Sequence, residues 1–153
     1  MKILVHRIDR CDGCGKCELA CSNAYFKKED KTLSAIHIYQ NDKINLAKKC
    51  IQCGECIPAC PGDALSRGKN GVVRLNKKLC VGCLACVGFC TERAMFYHDE
   101  VDEPIKCTAC GICVKACPNG ALSICECDEP EVKELEDKGD IKVIKHAVSY
   151  INK

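Results

Sequence analysis

The stretch from Cys50 to Pro61 reads C-I-Q-C-G-E-C-I-P-A-C-P, and most of this chain is built from copies of it. Three cysteines follow one another at intervals of three residues, a fourth comes four residues later, and a proline follows. The same spacing of cysteines occurs four times and uses sixteen of the eighteen cysteines in 153 residues. We number the copies runs one to four: Cys11, Cys14, Cys17 and Cys21; Cys50, Cys53, Cys56 and Cys60; Cys80, Cys83, Cys86 and Cys90; Cys107, Cys110, Cys113 and Cys117.

This spacing is typical of the ligands of a [4Fe–4S] cluster. Three cysteines in a tight loop can surround one face of a cubane if the backbone takes unusual angles, which glycine allows. Glycines lie between the first and third cysteines of every run: Gly13, Gly15, Gly54, Gly82 and Gly111. The fourth cysteine lies where we expect a short helix to begin, and it should ligate a second cluster. The runs should therefore work in pairs, and four runs predict four [4Fe–4S] clusters.

Two other uses of so many cysteines fit the sequence less well. A disulfide scaffold has no need of one repeated period, and the N-terminal apolar run is too short for a secretory signal. A zinc-binding interaction module favours paired C-x₂-C knuckles separated by a spacer, not triple runs with a fourth cysteine. No stretch is long enough to span a membrane. We therefore expect a reducing, cytoplasmic setting in an anaerobe, with no membrane span and no nucleic-acid partner.

The supply of ordinary core residues is small, since the chain has no Trp, four Tyr and three Phe. Clusters should therefore fill much of the interior, and the apo chain should be poorly folded. Short β-branched segments predict strands from Lys2 to Ile8, from Ser34 to Tyr39 and from Val72 onward. Residues 99–104 are interpreted as an acidic connector into run four.

The segments after runs two, three and four resemble one another: P-G-D-A-L, T-E-R-A-M and P-N-G-A-L. Each predicts a turn that returns an apolar residue to the core, and run one lacks the pattern. From Asp128 the composition becomes acidic and polar. Ile141, Ile144, Val148 and Ile151 then recur at roughly helical spacing, which predicts a helix packed on its own domain or an arm that docks on a partner.

Two pairings of the runs are possible. The serial pairing joins run one with two and run three with four. The nested pairing joins run two with three and inserts that unit into another made from runs one and four. The gap from Cys60 to Cys80 is short and contains one clear strand, whereas the gap from Cys21 to Cys50 contains extra structure. The gaps therefore favour the nested pairing.

The four runs resemble the iron–sulfur electron-transfer subunits of molybdenum and tungsten pterin oxidoreductases, such as those of dimethyl sulfoxide reductase and formate dehydrogenase. The resemblance covers about Met1 to Ile124 and includes all sixteen cysteines. It implies an α+β fold of two bacterial ferredoxin-like units, in which short strands and helices surround pairs of clusters and one unit is inserted into the other. The outer unit is residues 1–45 plus 98–127, the inner unit is 46–97, and a tail of 128–153 follows.

The resemblance also implies the ligands of each cluster. Cluster 1 takes Cys11, Cys14, Cys17 and Cys117; cluster 2 takes Cys50, Cys53, Cys56 and Cys90; cluster 3 takes Cys80, Cys83, Cys86 and Cys60; cluster 4 takes Cys107, Cys110, Cys113 and Cys21. The chain's compactness, with the stretches G-V-V-R-L-N-K-K-L-C-V-G-C and P-I-K-C-T-A-C-G-I-C-V-K-A-C-P, looks most like the small subunit of tungsten-containing aldehyde oxidoreductases.

That resemblance implies a relay of single electrons rather than catalysis by this chain. The partners would be a large catalytic oxidoreductase subunit with a tungsto- or molybdopterin, and a ferredoxin or further redox subunit. The alternative is a free polyferredoxin, or the electron-transfer subunit of a hydrogenase or carbon monoxide dehydrogenase. No catalytic constellation stands out, because the four histidines are scattered along the chain.

Two further features carry hypotheses. A basic residue lies just before each run: Arg10, Lys49, Lys78 and Lys106. These cations either favour the reduced, more negative clusters or are solvated lysine and arginine tips. The two remaining cysteines, Cys125 and Cys127, are a buried or weakly reactive thiol pair, a redox-active pair, or a further metal site.

Overall fold

A computed structural model describes residues 1–40, 42 and 44–126. In these ranges the chain forms eight short strands and three helices. The strands are β1 (Lys2–His6), β2 (Ile36–Gln40), β3 (Asn45–Lys49), β4 (Leu65–Arg67), β5 (Val73–Leu75), β6 (Met95–His98), β7 (Val101–Lys106) and β8 (Leu122–Glu126). The helices are α1 (Lys16–Phe26), α2 (Ala85–Gly88) and α3 (Ile112–Ala116), and 3-10 turns cover Ile8–Arg10 and Lys31–Leu33. This mixture of short strands and helices is an α+β, ferredoxin-like fold, as predicted.

The strands pair into four two-stranded antiparallel sheets. Three are hairpins between successive runs: β2–β3, β4–β5 and β6–β7. The fourth joins the first strand to the last described one, with Lys2 opposite Glu126 and His6 opposite Leu122. Helix α1 of run one also packs against helix α3 of run four. Runs one and four are therefore neighbours in space although the whole of runs two and three lies between them.

The turns predicted after runs two, three and four are confirmed. The third residue after the last cysteine takes a left-handed backbone in each: Asp63, Arg93 and Gly120. The next two residues are buried and lead into β4, β6 and β8, and they are Ala64 and Leu65, Ala94 and Met95, and Ala121 and Leu122. One short turn thus sends an apolar pair back into the core three times.

Run one departs from this pattern, as the sequence indicated. Helix α1 does not stop at Cys21 but continues to Phe26, and Lys27 then ends it in a left-handed conformation with φ 56°. The chain returns later, through the 3-10 turn of Lys31–Leu33 and the buried residues Ser34 and Ala35. The β2–β3 hairpin that follows is the extra structure predicted in the long gap.

The expected place of the short helices was wrong. We expected each to begin at the fourth cysteine, but α1, α2 and α3 begin before the third. The residue that precedes each helix has a left-handed backbone and so reverses the chain earlier: Gly15, Leu84 and Gly111. The corresponding part of run two is a turn rather than a helix. The third cysteine of these runs, not the fourth, therefore lies in the first turn of the helix.

The interpretation of residues 99–104 as a connector was also wrong. Most of them form β7, which pairs with β6 and buries its last residues around Ile105. The acidic residues and the proline of this segment argued against a strand, because both are depleted in strands. The strand pairs along one edge only, and its register shifts between Phe96 and His98, so the missing N–H of Pro104 is tolerated.

The cores of the fold include the cysteines themselves. The larger apolar cluster combines buried cysteines of runs one, two and four with Leu4, Leu33 and Ile36. The smaller one combines Cys56 and Cys86 with a few aliphatic residues of β4, β5 and β6. Among the described residues, no helix is long and apolar enough to cross a membrane.

Candidate metal centres

Each run folds into the same loop. The second residue after the first cysteine and the residue after the second cysteine both have positive φ in all four runs. These residues are Gly13 and Gly15, Gln52 and Gly54, Gly82 and Leu84, and Ala109 and Gly111. All five glycines that the sequence singled out are among them. Gln52, Leu84 and Ala109 carry side chains in the same conformation, so the loop requires the backbone angle at a strain cost where glycine is absent.

Backbone N–H groups donate to the cysteine sulfurs in a repeated way. The fourth cysteine accepts from the residue four positions later at 3.3 Å in three runs, and these pairs are Cys60 with Ala64, Cys90 with Ala94, and Cys117 with Ala121. In run one the N–H of Ala35 donates to Cys21 Sγ at 3.4 Å instead. N–H···S bonds stabilise a thiolate and tune the potential of a cluster. The longer return of the chain after α1 thus provides the same donor by another route.

The first cysteines accept similar bonds. Gln52 N–H donates to Cys50 Sγ at 3.4 Å, and Ala109 N–H donates to Cys107 Sγ at 3.4 Å. Both donors are the left-handed residues of their loops. The unusual backbone angle is therefore what turns an N–H toward the sulfur.

Two partly enclosed cavities bring cysteines of different runs together. The thiols that line one of them are Cys60, Cys80, Cys83 and Cys86. The thiols that line the other are Cys21, Cys107, Cys110 and Cys113. Each combines the three close cysteines of one run with the fourth cysteine of another. No carboxylate or imidazole lines either cavity.

The residues around these cavities fit a [4Fe–4S] cluster. Four thiols, apolar walls and N–H donors aimed at sulfur are the donor set that such clusters take. Elsewhere in the described ranges as well as here, no three Cys, His, Asp or Glu side chains lie close enough to hold a single metal ion. When bound, a [4Fe–4S] cluster accepts and gives up one electron at a time.

The cysteines of run one lie close to Cys117. Burial is the largest cause that raises the pKa of Cys11, and the charges of Cys117 and Cys14 add to it. Burial and the charge of Glu18 raise the pKa of Cys17 to about 12, with smaller contributions from Cys11 and Cys14. Cys117, the fourth cysteine of run four, is thus grouped with the thiols of run one.

The cysteines of run two form the remaining group. Burial raises the pKa of Cys56 to about 11, and Cys50 and Cys53 add to the rise while Lys106 opposes it. Cys90 is half-buried and packs against both apolar clusters. A thiol whose pKa is raised to about 11, such as that of Cys56, stays protonated until a metal replaces the proton, so cluster binding and proton release are coupled.

Polar side chains from the hairpins hold the cysteine loops. On β2 and β3, Gln40 Nε2 donates to the Gly13 carbonyl at 2.7 Å and Asn45 Nδ2 donates to the Cys11 carbonyl at 2.8 Å. On β4, Arg67 donates to the carbonyls of Gln52 and Cys53 at 2.8 and 2.7 Å. Each of these hairpins thus fixes the loop of the run that precedes it.

The four basic residues before the runs fall into two kinds. Arg10 and Lys78 are exposed. Lys49 and Lys106 are buried, with 7% and 6% of their surface exposed. The interpretation of solvated side-chain tips is therefore wrong for Lys49 and Lys106.

Sequence reasoning missed Gln52, which is completely buried. Its Nε2 donates to the Cys107 carbonyl at 3.0 Å, and its Oε1 accepts from Val73 N at 3.0 Å and from Lys106 Nζ at 2.8 Å. It thereby ties the loop of run two to run four. The one signal in the sequence is that glutamine stands where runs one and three have glycine.

Cys125 lies on β8 opposite Ile3 and is disulfide-bonded, so it is not the free thiol that one of our interpretations expected. Cys127 lies outside the described residues, as does the tail 128–153. A redox-active pair stays a prediction for Cys125 and Cys127, as does the docking helix or arm for the tail. The disulfide contradicts the interpretation of Cys125 as a metal ligand.

Comparison with known proteins agrees with this geometry. A model described as the 4Fe-4S dicluster domain matches residues 10–65 and 49–95, and one described as the 4Fe-4S binding domain matches 101–123. The chain is 31% identical over 149 residues to the ferredoxin-like protein YdhX of Escherichia coli K12, covering 85% of this chain and 67% of that protein.

Two further relatives are named subunits of larger enzymes. The chain is 36% identical over 123 residues to the beta subunit of NADH-dependent phenylglyoxylate dehydrogenase of Aromatoleum evansii, covering 74% of this chain and 28% of that subunit. It is 25% identical over 155 residues to the thiosulfate reductase electron transfer subunit PhsB of Salmonella typhi, covering 86% and 79%. The matched models, the four cysteine runs and the thiol-lined cavities together show that this protein belongs to the 4Fe-4S dicluster domain family and binds multiple [4Fe–4S] clusters.

Proposed function

We propose that this chain is a non-catalytic electron-transfer subunit that relays single electrons through four [4Fe–4S] clusters. The observation that carries the proposal is the pair of partly enclosed, apolar cavities, each lined by four thiols from two different runs. Four thiols complete the coordination of a cubane and leave no iron open to a substrate. The electron must therefore come from one protein and go to another.

The ligand sets are those of the nested arrangement. Cysteines Cys60 and Cys21 complete the clusters of runs three and four, Cys117 completes that of run one, and Cys90 completes that of run two. The pairing of β1 with β8 and the packing of α1 on α3 support an outer unit of residues 1–45 plus 98–127. The β4–β5 hairpin, which links run two to run three, supports an inner unit of residues 46–97.

The proposed partners are a large catalytic oxidoreductase subunit and, at the other end, a ferredoxin or further redox subunit. A subunit role is supported by two relatives whose names are those of enzyme subunits. A tungsto- or molybdopterin in the catalytic subunit, an aldehyde as its substrate and a cytoplasmic location are proposed from the sequence resemblance alone.

Anaerobic purification of the tagged chain from its own host tests this function. We expect about sixteen irons per chain and a co-purifying large polypeptide that contains tungsten or molybdenum. Iron far below sixteen would overturn the four clusters. Full iron with no bound large polypeptide would overturn the subunit role and favour a free polyferredoxin.

Matched Cys→Ser variants test the pairing. In the nested arrangement, Cys14→Ser and Cys117→Ser perturb the same component of an anaerobic redox titration followed by electron paramagnetic resonance. Cys83→Ser and Cys60→Ser likewise perturb one shared component, different from the first. The serial arrangement predicts the exchanged result, in which Cys14→Ser matches Cys60→Ser and Cys83→Ser matches Cys117→Ser.

A further inference from the structure

We propose that the two buried lysines, Lys49 and Lys106, raise the reduction potentials of the two clusters held by the loops of runs two and four. These two clusters lie at the junction between the inner and outer units, and their potentials would then differ from those of the other two clusters. This inference rests on the proposed electron relay and its ligand sets.

Both lysines lie where a strand ends and a cysteine run begins. Each is the last residue of a strand, β3 or β7, and each directly precedes the first cysteine of a run. Only 7% of Lys49 and 6% of Lys106 is exposed. Lysine is almost never fully buried without a partner. The partner must therefore be sought inside the fold.

Lys106 is fixed by neutral groups. Its Nζ donates to Gln52 Oε1 at 2.8 Å and to the Cys107 carbonyl at 3.0 Å. Gln52 is itself held by Val73 N and by the same Cys107 carbonyl. The ammonium is thus anchored at the contact between runs two and four with its charge uncompensated by these partners.

In the part of the chain that the structure describes, no carboxylate forms an ion pair with either lysine. Glu92 is the one carboxylate among the groups whose charges act on Lys49, and it contributes less than Cys107 and Cys50. Burial of an ammonium without an anionic partner is unfavourable because the charge loses its hydration, so a compensating negative charge is needed nearby.

The groups that can supply that charge are the cysteines. Burial lowers the pKa of Lys49, and the charges of Cys107 and then Cys50 act in the opposite direction. The charge of Lys106 interacts with those of Cys56 and Cys107. Each lysine therefore acts on one cysteine of run two and one cysteine of run four.

The expected effect follows from charge. A cubane with four thiolates gains one negative charge when it takes one electron from its neighbour, which loses one. No bond forms or breaks in this step. In a site screened little by water, the attraction of a fixed cation to the added charge favours the reduced form. Lys49 and Lys106 therefore raise the potentials of both junction clusters.

The test is a redox titration of the iron-loaded chain, followed by electron paramagnetic resonance. In Lys106→Met and Lys49→Met we expect at least a tenfold fall in the reduced-to-oxidised ratio of the junction clusters at fixed potential, about 59 mV. The other two clusters keep their potentials. Cys53→Ser and Cys110→Ser, each altering one exposed cysteine, assign the two junction components.

Two variants serve as controls. Lys78→Met removes the exposed cation before run three and should shift no potential. Lys106→Arg keeps the charge and should keep the wild-type potentials, which a merely structural role of the lysine stem would not predict. If Lys106→Met loses iron, Lys106→Gln, whose amide can still donate to the Cys107 carbonyl, takes its place in the same measurement.

Unchanged potentials in both methionine variants with full iron would overturn the proposal, and so would an equal shift of all four clusters. A wild-type chain with far fewer than sixteen irons would instead overturn the proposed function, so the two failures are distinguishable.

Discussion

Gly82 is the position in run three at which a side chain is least tolerated. Its φ is +68°, and a Cβ at this position would lie 3.0 Å from the carbonyl oxygen of Asp102 on the neighbouring strand. A side chain there suffers both the left-handed backbone and a contact with a main-chain atom that cannot move freely. The loop of run three therefore depends on glycine more strictly than the loops that tolerate Gln52 or Ala109.

We expect Gly82→Ala to destabilise the iron-loaded protein by about 1–2 kcal/mol. The matched control is Gly88→Ala in α2, where a Cβ would meet nothing within 4 Å. Alanine in a helix is favoured over glycine by about 0.5–1 kcal/mol, so the control should be neutral or stabilising. Anaerobic guanidinium unfolding followed by cluster absorbance measures both. Equal effects at the two positions would contradict this interpretation of the loop.

His6 gives the fold a dependence on pH. Only 1% of it is exposed, and neither ring nitrogen has a hydrogen-bond partner. Burial, and then the charge of Lys49, lower the pKa of His6 to about 4, against a smaller opposing effect of Asp9. The folded chain therefore holds a neutral imidazole where the unfolded chain takes up a proton below about pH 6.5.

Below about pH 6.5 the unfolded state binds one more proton than the folded state, so acid favours unfolding. The stability due to neutral His6 is complete above about pH 6.5 and is lost as the pH falls toward 4, by about 3 kcal/mol in all. Between about pH 6.5 and about pH 4, we expect the free energy of unfolding to fall by about 1.4 kcal/mol for each pH unit. His6→Phe should remove this slope between pH 7 and pH 5. A slope that persists unchanged in the variant would assign it to other groups.

The hairpins, as elements, act as clamps on the cysteine loops. Arg67 on β4 donates to three carbonyls at once, those of Gln52, Cys53 and Gly71, at 2.7–2.8 Å. Gly71 belongs to the turn of its own hairpin, while Gln52 and Cys53 belong to run two. The planar guanidinium therefore fastens the hairpin turn to the loop that holds a proposed cluster.

Replacing Arg67 by lysine should release that loop, because an ammonium cannot match the fork of a guanidinium. We expect Arg67→Lys to cost about 1 kcal/mol, a modest figure because the side chain is exposed. The run-two cluster should lose iron first to a chelator. Arg74→Lys, an exposed position on the partner strand β5, is the control. Loss of iron at the same rate in both variants would exclude the clamp.

A secondary-structure element can be predicted from the sequence when the residues that determine it lie within that element. The turns after runs two to four are local and repeated, so their pattern predicted them. Strand β7 was missed because Asp102, Glu103 and Pro104 are poor strand residues, and only its pairing with β6 makes it one. The burial of Lys49 and Lys106 is a tertiary effect that runs against the usual exposure of lysine.

The candidate sites also combine local features, which the sequence predicts, with contacts between distant segments, which it does not. Cysteine spacing alone predicted the four loops, because a run carries its own period. Which fourth cysteine meets which run depends on chain segments far apart, such as Cys21 beside run four. Gln52 shows the limit most clearly, since its amide meets a carbonyl 55 residues away and no local pattern marks it.

At the scale of the whole molecule, cysteines take the place of a conventional core. Both apolar clusters contain buried cysteines, and burial raises the pKa of Cys113 to about 12. Without iron, the pockets lined by the cysteines of runs three and four would lose the groups that fill them. The fold has few large apolar residues that could close such spaces, so loss of the clusters should be strongly destabilising.

We therefore expect chelation of iron under reducing conditions to abolish cooperative unfolding. Amide hydrogen exchange of the apo chain should lose most of its protection, and reconstitution with iron and sulfide should restore it. Zinc added at the same stoichiometry is the control and should not restore protection. An apo chain that still unfolds cooperatively would show that the polypeptide folds without its clusters.

The pairing of β1 with β8 has a consequence for how the molecule is made. Lys2 finds its partner only when Glu126 has left the ribosome, about 120 residues later, or about 6–25 s at usual rates of synthesis. In the proposed nested pairing, run one lacks its fourth ligand, Cys117, during that delay, whereas runs two and three have both already left the ribosome. Clusters should therefore be inserted first into runs two and three and later into runs one and four. When iron–sulfur donors are scarce, we expect chains that hold clusters in runs two and three but not in runs one and four.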